Sequence, residues 1–195
     1  LQDSSAASDV YKRQVLVSFS GEEVSSTNSV GQAAISENEV SARDIENALN
    51  MSSTLKIPND KTLLYVVPNS FFIDGQGNID DPLGMNGIKL EARSHLIHCS
   101  KNTKDNIKKC LKVSSSGIGI RKYFYSQLGV AHSVLTDYQK KLCVCVLDIG
   151  AGTTDISVYQ NGSITFSKVL PYAGDYITEI IAVSYTHLRA HETIR

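Results

Sequence analysis

Apolar residues recur along this chain with two different periods, and the period predicts the elements. Val15, Val17 and Phe19 alternate, which predicts a short strand over Val15–Ser20 ended by Gly21. A second short strand is expected at Ala33–Ile35. Ser41-Ala-Arg-Asp44 then has the spacing of a helix capping box, and Ile45, Ala48, Leu49 and Leu55 follow at helical intervals before Pro58. Lys61–Val67 reads as a buried strand, which Ser70–Ile73 continues or follows with another, and Asp74–Asn78 has turn chemistry. Gly87–Cys99 alternates: Ile88, Leu90, Ala92 and Leu96 face one way, Lys89, Glu91, Arg93 and His95 the other. Helices are expected over Thr103–Leu111 and Tyr123–Leu135, with a short strand at Gly117–Ile120.

The last third reads differently. Leu142–Asp148 is almost wholly apolar, as expected of a central strand covered on both faces. Ile149–Thr154 is a turn of small residues, and Asp155–Tyr159 is a second strand. Gln160-Asn-Gly-Ser163 carries the Asn-Gly turn of a tight hairpin returning along Ser163–Leu170. Pro171–Gly174 leads into a helix expected to reach Ala182. The whole is α/β, with an α+β first half.

Composition narrows the function classes. Nineteen Lys and Arg balance twenty Asp and Glu, so there is no electrostatic case for nucleic acid or an anionic membrane surface. The four cysteines form no C-x-x-C pair, which argues against a disulfide scaffold and a zinc site and for a reducing, cytoplasmic setting. Cys143 and Cys145 are expected to be core thiols, and Cys99 and Cys110 to be buried. His95 and His98 lie on opposite faces of one strand and cannot converge on one metal. His187, His191 and Glu192 lack the zinc-peptidase order. Leu1–Gln14 and Val183–Arg195 resemble translated sequencing-adaptor sequence, so residues 1–14 and 183–195 are expected to be non-native tails that pack against nothing.

The segment with chemistry is Val146-Leu-Asp-Ile-Gly-Ala-Gly-Thr-Thr-Asp-Ile-Ser-Val158. A strand ends at Asp148, and Gly150 and Gly152 expose main-chain amides without a Cβ in the way. Ala151, Thr153 and Thr154 complete a turn suited to a phosphate. Asp148 is placed to hold water on Mg²⁺, and Asp155 to orient a water. No Lys follows the glycines, so this is not a Walker loop, and the turn leads to a strand rather than a helix, so it is not a Rossmann fingerprint. A tight turn in any β-hairpin is the plainer alternative.

Asp148–Asp155 resembles the second phosphate motif of the actin-like ATPases. Lys168-Val-Leu-Pro-Tyr-Ala-Gly174 after an Asn-Gly hairpin is similar to the FtsA family of bacterial cell-division proteins. So are Val17–Gly21, Pro68, Asp81–Gly87, Ala92–Ile97 and Ser133–Thr136, which occur in that family's order. Ser114–Tyr125 departs from its pattern. The resemblance implies a partial actin-like ATPase (ribonuclease-H-like) fold with an inserted strand–helix–strand–strand subdomain at 15–99. Residues 100–147 would be the remainder of the first lobe, and 148–182 the start of the second. It implies ATP with Mg²⁺ as cofactors, bound by Asp148, Gly150, Ala151, Gly152, Thr153 and Thr154, with at most weak hydrolysis. It implies FtsZ and later division proteins as partners, self-association into filaments, and a cytoplasmic location on the inner membrane through a C-terminal helix outside these residues. A pilus-assembly actin homologue shares the Asp148–Asp155 pattern, but Pro82–Gly84 and Pro171–Gly174 favour FtsA.

Overall fold

The computed structural model of the chain describes residues 14–54, 57–114 and 118–192, with side chains throughout except at 112–114 and 185–192. Tyr11, Leu55 and the side chains of His187, Leu188, His191 and Glu192 therefore lie outside the described residues.

The described residues form three sheets. Strand β1 (Gln14–Phe19) pairs in parallel with β6 (Gly119–Tyr125). A four-stranded antiparallel sheet runs in the order β2-β5-β3-β4, from Ser25–Ala34, Lys89–Ser100, Lys61–Ile73 and Gln76–Ile79. A three-stranded antiparallel sheet follows the chain: β7 (Val144–Ile149), β8 (Thr154–Gln160) and β9 (Ser163–Leu170). The helices are α1 (Ala42–Ser53), α2 (Lys101–Ser114), α3 (Ser126–Val134), α4 (Asp137–Lys141) and α5 (Gly174–Glu192).

The capping box forms as its spacing predicts. The Asp44 N–H donates to Ser41 Oγ at 3.3 Å, and the Ser41 N–H donates back to Asp44 Oδ2 at 3.0 Å. Asn161 (φ 53°) and Gly162 (φ 85°) make the left-handed pair that the β8–β9 hairpin requires. Gly87–Cys99 does not pair with β7, so the two antiparallel sheets stay distinct.

Several local expectations are corrected. Strand β2 is ten residues long, far beyond Ala33–Ile35, because pairing with β5 rather than hydrophobic alternation fixes it. Residues 14–19 pair with β6 and not with the four-stranded sheet, so Gln14 is part of β1 and not of a tail that packs against nothing. Tyr123, Phe124 and Tyr125 are strand, not helix; their aromatic rings suit a pleated surface, and Tyr125 is buried. Ile88 is exposed, whereas His95 is buried against β9. Strand β7 is covered on one face only: Leu147 and Ile149 on the other are 57% and 64% exposed. Cys145 shares that outer face, and Cys143, Cys145 and Cys110 are exposed, leaving Cys99 as the buried thiol among the four. The last helix continues past Ala182 to Glu192.

Two cores meet on β5. Leu90 and Ala92 pack with Ile35, Val40, Ala48, Phe71 and Ile73 beneath α1. Ile97 and Cys99 join a second cluster with Phe19, Val24, Tyr125, Ala131, Val146, Tyr159 and Ile164, so all three sheets contribute to one apolar centre. Small residues let α1 approach its sheet closely. A Cβ on Gly31 would collide with the main chain of Ala48 and Ser52, and Ser52 Oγ donates to Ser94 Oγ at 3.1 Å. Gly31→Ala should therefore destabilise the fold by at least about 2 kcal/mol, since neither colliding atom can rotate away. Denaturant unfolding measures this, and an unchanged midpoint would contradict the packing described.

His95 makes stability depend on pH. Burial, with the charge of His98 adding to it, lowers its pKa from 6.5 to about 4. The unfolded chain takes up this proton first, so the stabilisation is complete above pH 6.5 and is lost as pH falls toward 4. The loss should reach up to about 3 kcal/mol. Unfolding at a series of pH values should show this slope in the wild type and a shallower one in His95→Gln; equal slopes would refute the assignment.

Candidate functional site

The antiparallel register of β7 and β8 sets Asp148 directly opposite Asp155. Both are carried on the face that also holds Val144, Val146, Ser157 and Tyr159, so the two carboxylates look into the molecule. Asp155 is buried. Its carboxyl is held above the ordinary carboxylate range, chiefly by burial and then by the neighbouring Asp148 charge; a hydrogen bond from the Gly21 main chain opposes both.

Three further chain segments close around this pair. Gly21 (φ 90°) turns the chain just after β1, where its main chain reaches Asp155. The β6–α3 junction brings Gln127, fully buried, whose Nε2–H donates to Asp148 Oδ2 at 2.9 Å. The Tyr159 hydroxyl donates to the Gln127 carbonyl at 3.5 Å. Tyr125, also buried, lies beside Asp155 and hydrogen-bonds to Ser167; burial first, and Asp155 next, push its phenol pKa up.

The sequence motif did not reveal Gln127. A glutamine in a stretch read as helix is ordinarily a solvated one, and only the strand-to-helix switch at Tyr125–Ser126 turns it inward. The signal that existed was the aromatic run Tyr123–Tyr125, which favours strand.

The Gly150–Thr153 loop is built differently from the expected open turn. Gly150 N–H donates to Thr153 O at 2.9 Å, closing the hairpin. The carbonyls of Gly150 and Ala151 accept from Gly174 N–H (3.1 Å) and Asp175 N–H (2.9 Å), tying the loop to the start of α5. Thr154 Oγ1–H donates to Tyr172 O at 2.7 Å. The Gly150 amide and the Thr154 hydroxyl thus shape the loop. The amides of Ala151, Gly152 and Thr153 have no acceptor among the described residues. Neither Gly150 nor Gly152 has a positive φ; what Gly152 supplies is space, since a Cβ there would meet nothing within 4 Å.

The arrangement suits a hydrated dication beside an anion. Two facing carboxylates supply charge, and buried Asp155 Oδ1 and Gln127 Oε1 have no protein partner. No group of three or more His, Cys, Asp or Glu that could grip a metal directly occurs among the described residues. Water-mediated holding, the habit of Mg²⁺, is the mode that fits. Asp148→Asn should lower the Asp155 pKa, because it deletes the like charge while keeping the Gln127 contact. Carboxyl carbon shifts followed by NMR across pH would show it; an unmoved Asp155 titration would mean burial alone sets its value.

Comparison with known proteins follows the same outline. Residues 21–98 match the SHS2 domain inserted in FtsA, and residues 145–190 match cell division protein FtsA. The cell division protein FtsA of Pseudomonas aeruginosa is 39% identical over 168 residues, covering 86% of this chain and 40% of that protein. The Escherichia coli K12 protein of the same name is 36% identical over 171 residues, 88% of this chain and 40% of that protein. The chain thus spans about two-fifths of the length of these relatives. The solved PilM-PilN type IV pilus biogenesis complex superposes with a TM-score of 0.56 at 16% identity, over 89% of this chain and 47% of that one, a likeness of fold alone. The fold is a mixed α/β one, shared with that complex and carrying an SHS2 insertion.

Proposed function

Because the chain belongs to the FtsA family of cell-division proteins, we propose that it forms one wall of an ATP site in an actin-like scaffold that links the FtsZ ring to the cytoplasmic membrane. The observation that carries this is the Asp148–Asp155 pair with Gln127 bonded to Asp148, set beside a loop whose Ala151, Gly152 and Thr153 amides are free. In this reading the SHS2 unit is the interaction module toward later division proteins and toward other copies in a filament. Residues 15–19 and 100–147 belong to the first lobe, and the chain from Asp148 to 182 begins the second. Location on the cytoplasmic face of the inner membrane belongs to the same proposal. No helix among the described residues is long and apolar enough to cross a membrane.

The residues divide the work. Asp148 anchors the water shell of Mg²⁺, oriented by Gln127, which holds one of its oxygens. Asp155, raised toward the protonated form by burial, orients a water from the facing strand. Ala151, Gly152 and Thr153 donate to phosphate oxygens, while Gly150 and Thr154 fix the loop through their bonds to Thr153 and Tyr172. Mg-ATP, when bound, would supply the polyphosphate and the dication that these residues hold. Hydrolysis, where it occurs, is slow.

In the complete protein, Asp148→Ala should weaken Mg-dependent ATP binding roughly tenfold or more, the scale expected for losing one charge-assisted anchor. Gly152→Val should weaken it while leaving thermal stability nearly unchanged, because the side chain would project into open space rather than into the fold. Titration calorimetry with and without Mg²⁺ measures both. Wild-type affinity in Asp148→Ala, or unfolding of Gly152→Val, would overturn this assignment.

A further inference from the structure

The SHS2 sheet and the β7–β9 sheet meet along two edge strands, β2 and β9, without a backbone ladder between them. Side chains make the junction instead. Ser26 Oγ–H donates to Ser167 O at 2.9 Å, and Asn28 Nδ2–H donates to Thr165 O at 3.1 Å. Between them His95 of β5, 2% exposed, spans the joint: Nδ1 contacts Asn28 Oδ1 at 2.6 Å and Nε2 contacts Ser167 Oγ at 2.9 Å. With Asn28 as acceptor, Nδ1 carries the proton and Nε2 accepts from the Ser167 hydroxyl.

This junction is polar and loosely filled. One cavity of about 390 Å³ lies along it, lined by Ser25, Thr27, His95, Phe166 and Lys168 among others. Another of about 410 Å³ lies on the Asn28–Asn69–Asn161 side. An apolar pivot sits at one end, where Val24 and Ile97 enter the shared core. A hydrogen-bonded junction with room on both sides can open about such a pivot more readily than a close-packed apolar one, because fewer packed contacts are broken.

Ser167 also connects the junction to the nucleotide wall. It pairs with Ser157 across β8–β9, two residues from Asp155, and it hydrogen-bonds to Tyr125, which lies beside Asp155. Hydrogen bonds thus run from Tyr125 through Ser167 to His95 and Asn28, and the charge of Asp155 acts on the Tyr125 end of that chain. We propose that His95 is a positioning residue that clasps the SHS2 unit to β9, so that occupancy of the 148–155 hairpin sets how that unit is held. The claim rests on the nucleotide reading above and names the joint through which that site acts on the interaction module. Coupling of this kind is reciprocal, so loosening the clasp must alter nucleotide affinity by the factor with which nucleotide alters the clasp.

The test uses the complete protein and amide hydrogen exchange, with and without Mg-ATP. In the wild type, ATP should slow exchange in 150–155 and change it in both 165–168 and 25–28. His95→Leu removes both bonds while keeping bulk; it should speed exchange at 25–28 severalfold and abolish the ATP response there. The 165–168 response and the protection of β3 should be retained. His95→Gln, which keeps a polar group facing Ser167, should restore part of the response. An ATP response at 25–28 that survives His95→Leu would overturn the proposal. So would loss of protection throughout β3 and β5 in both variants, which would make His95 merely a core residue. If 150–155 does not respond to ATP in the wild type, the nucleotide reading fails. The clasp is then judged without ligand, where unchanged exchange at 25–28 in His95→Leu would refute it.

Discussion

Strand β5 is wedged between two cores, and the rest of the molecule is arranged around that burial. Its first half, at Leu90 and Ala92, covers the underside of α1. Its second half, at Ile97 and Cys99, enters a cluster to which β1, β6, β7, β8 and β9 also contribute. A strand with one solvated face would let the SHS2 sheet float free of the rest. Because Leu96, Ile97, His98 and Cys99 are all buried, the inserted unit is rooted at that end of the strand. The polar residues caught there, His95 and His98, both have lowered pKa values for the same reason: burial penalises their charged forms.

The same rooting assembles the candidate site. Asp148 and Asp155 come from adjacent strands and would face each other in any version of this hairpin. Asp155 becomes buried, with its carboxyl held toward the protonated form, only when β1 and the β6–α3 junction close over the hairpin, bringing Gly21, Tyr125 and Gln127. A carboxyl that burial and a facing carboxylate hold toward its protonated form suits a nearby dication, because the cation would favour its charged form.

The Gly150–Thr153 loop shows what holds this hairpin in place. Its carbonyls hold the start of α5, and its Gly150 amide closes the turn, so rigidity comes from main-chain bonds that any residue could supply. Glycine at 152 answers no such need, since a Cβ there would meet nothing within 4 Å.

The sequence by itself determined what depends on near neighbours. The Ser41–Asp44 cap, the Asn161-Gly162 turn, the β7–β8–β9 order and the facing of Asp148 and Asp155 all follow from local spacing and period. So does the family resemblance that Asp148–Asp155 and Lys168–Gly174 carry. Only the tertiary structure decided what depends on distant partners. The polar strand β2 exists because β5 pairs with it, and β1 runs with β6 although about a hundred residues separate them. Cys145 and Leu147 are exposed because no described element packs on their face of β7. Gln127 and His95 are buried because strands from elsewhere close over them. Period and propensity report which way a side chain points along its own element; they are silent about what stands opposite, and burial and pKa are set by what stands opposite.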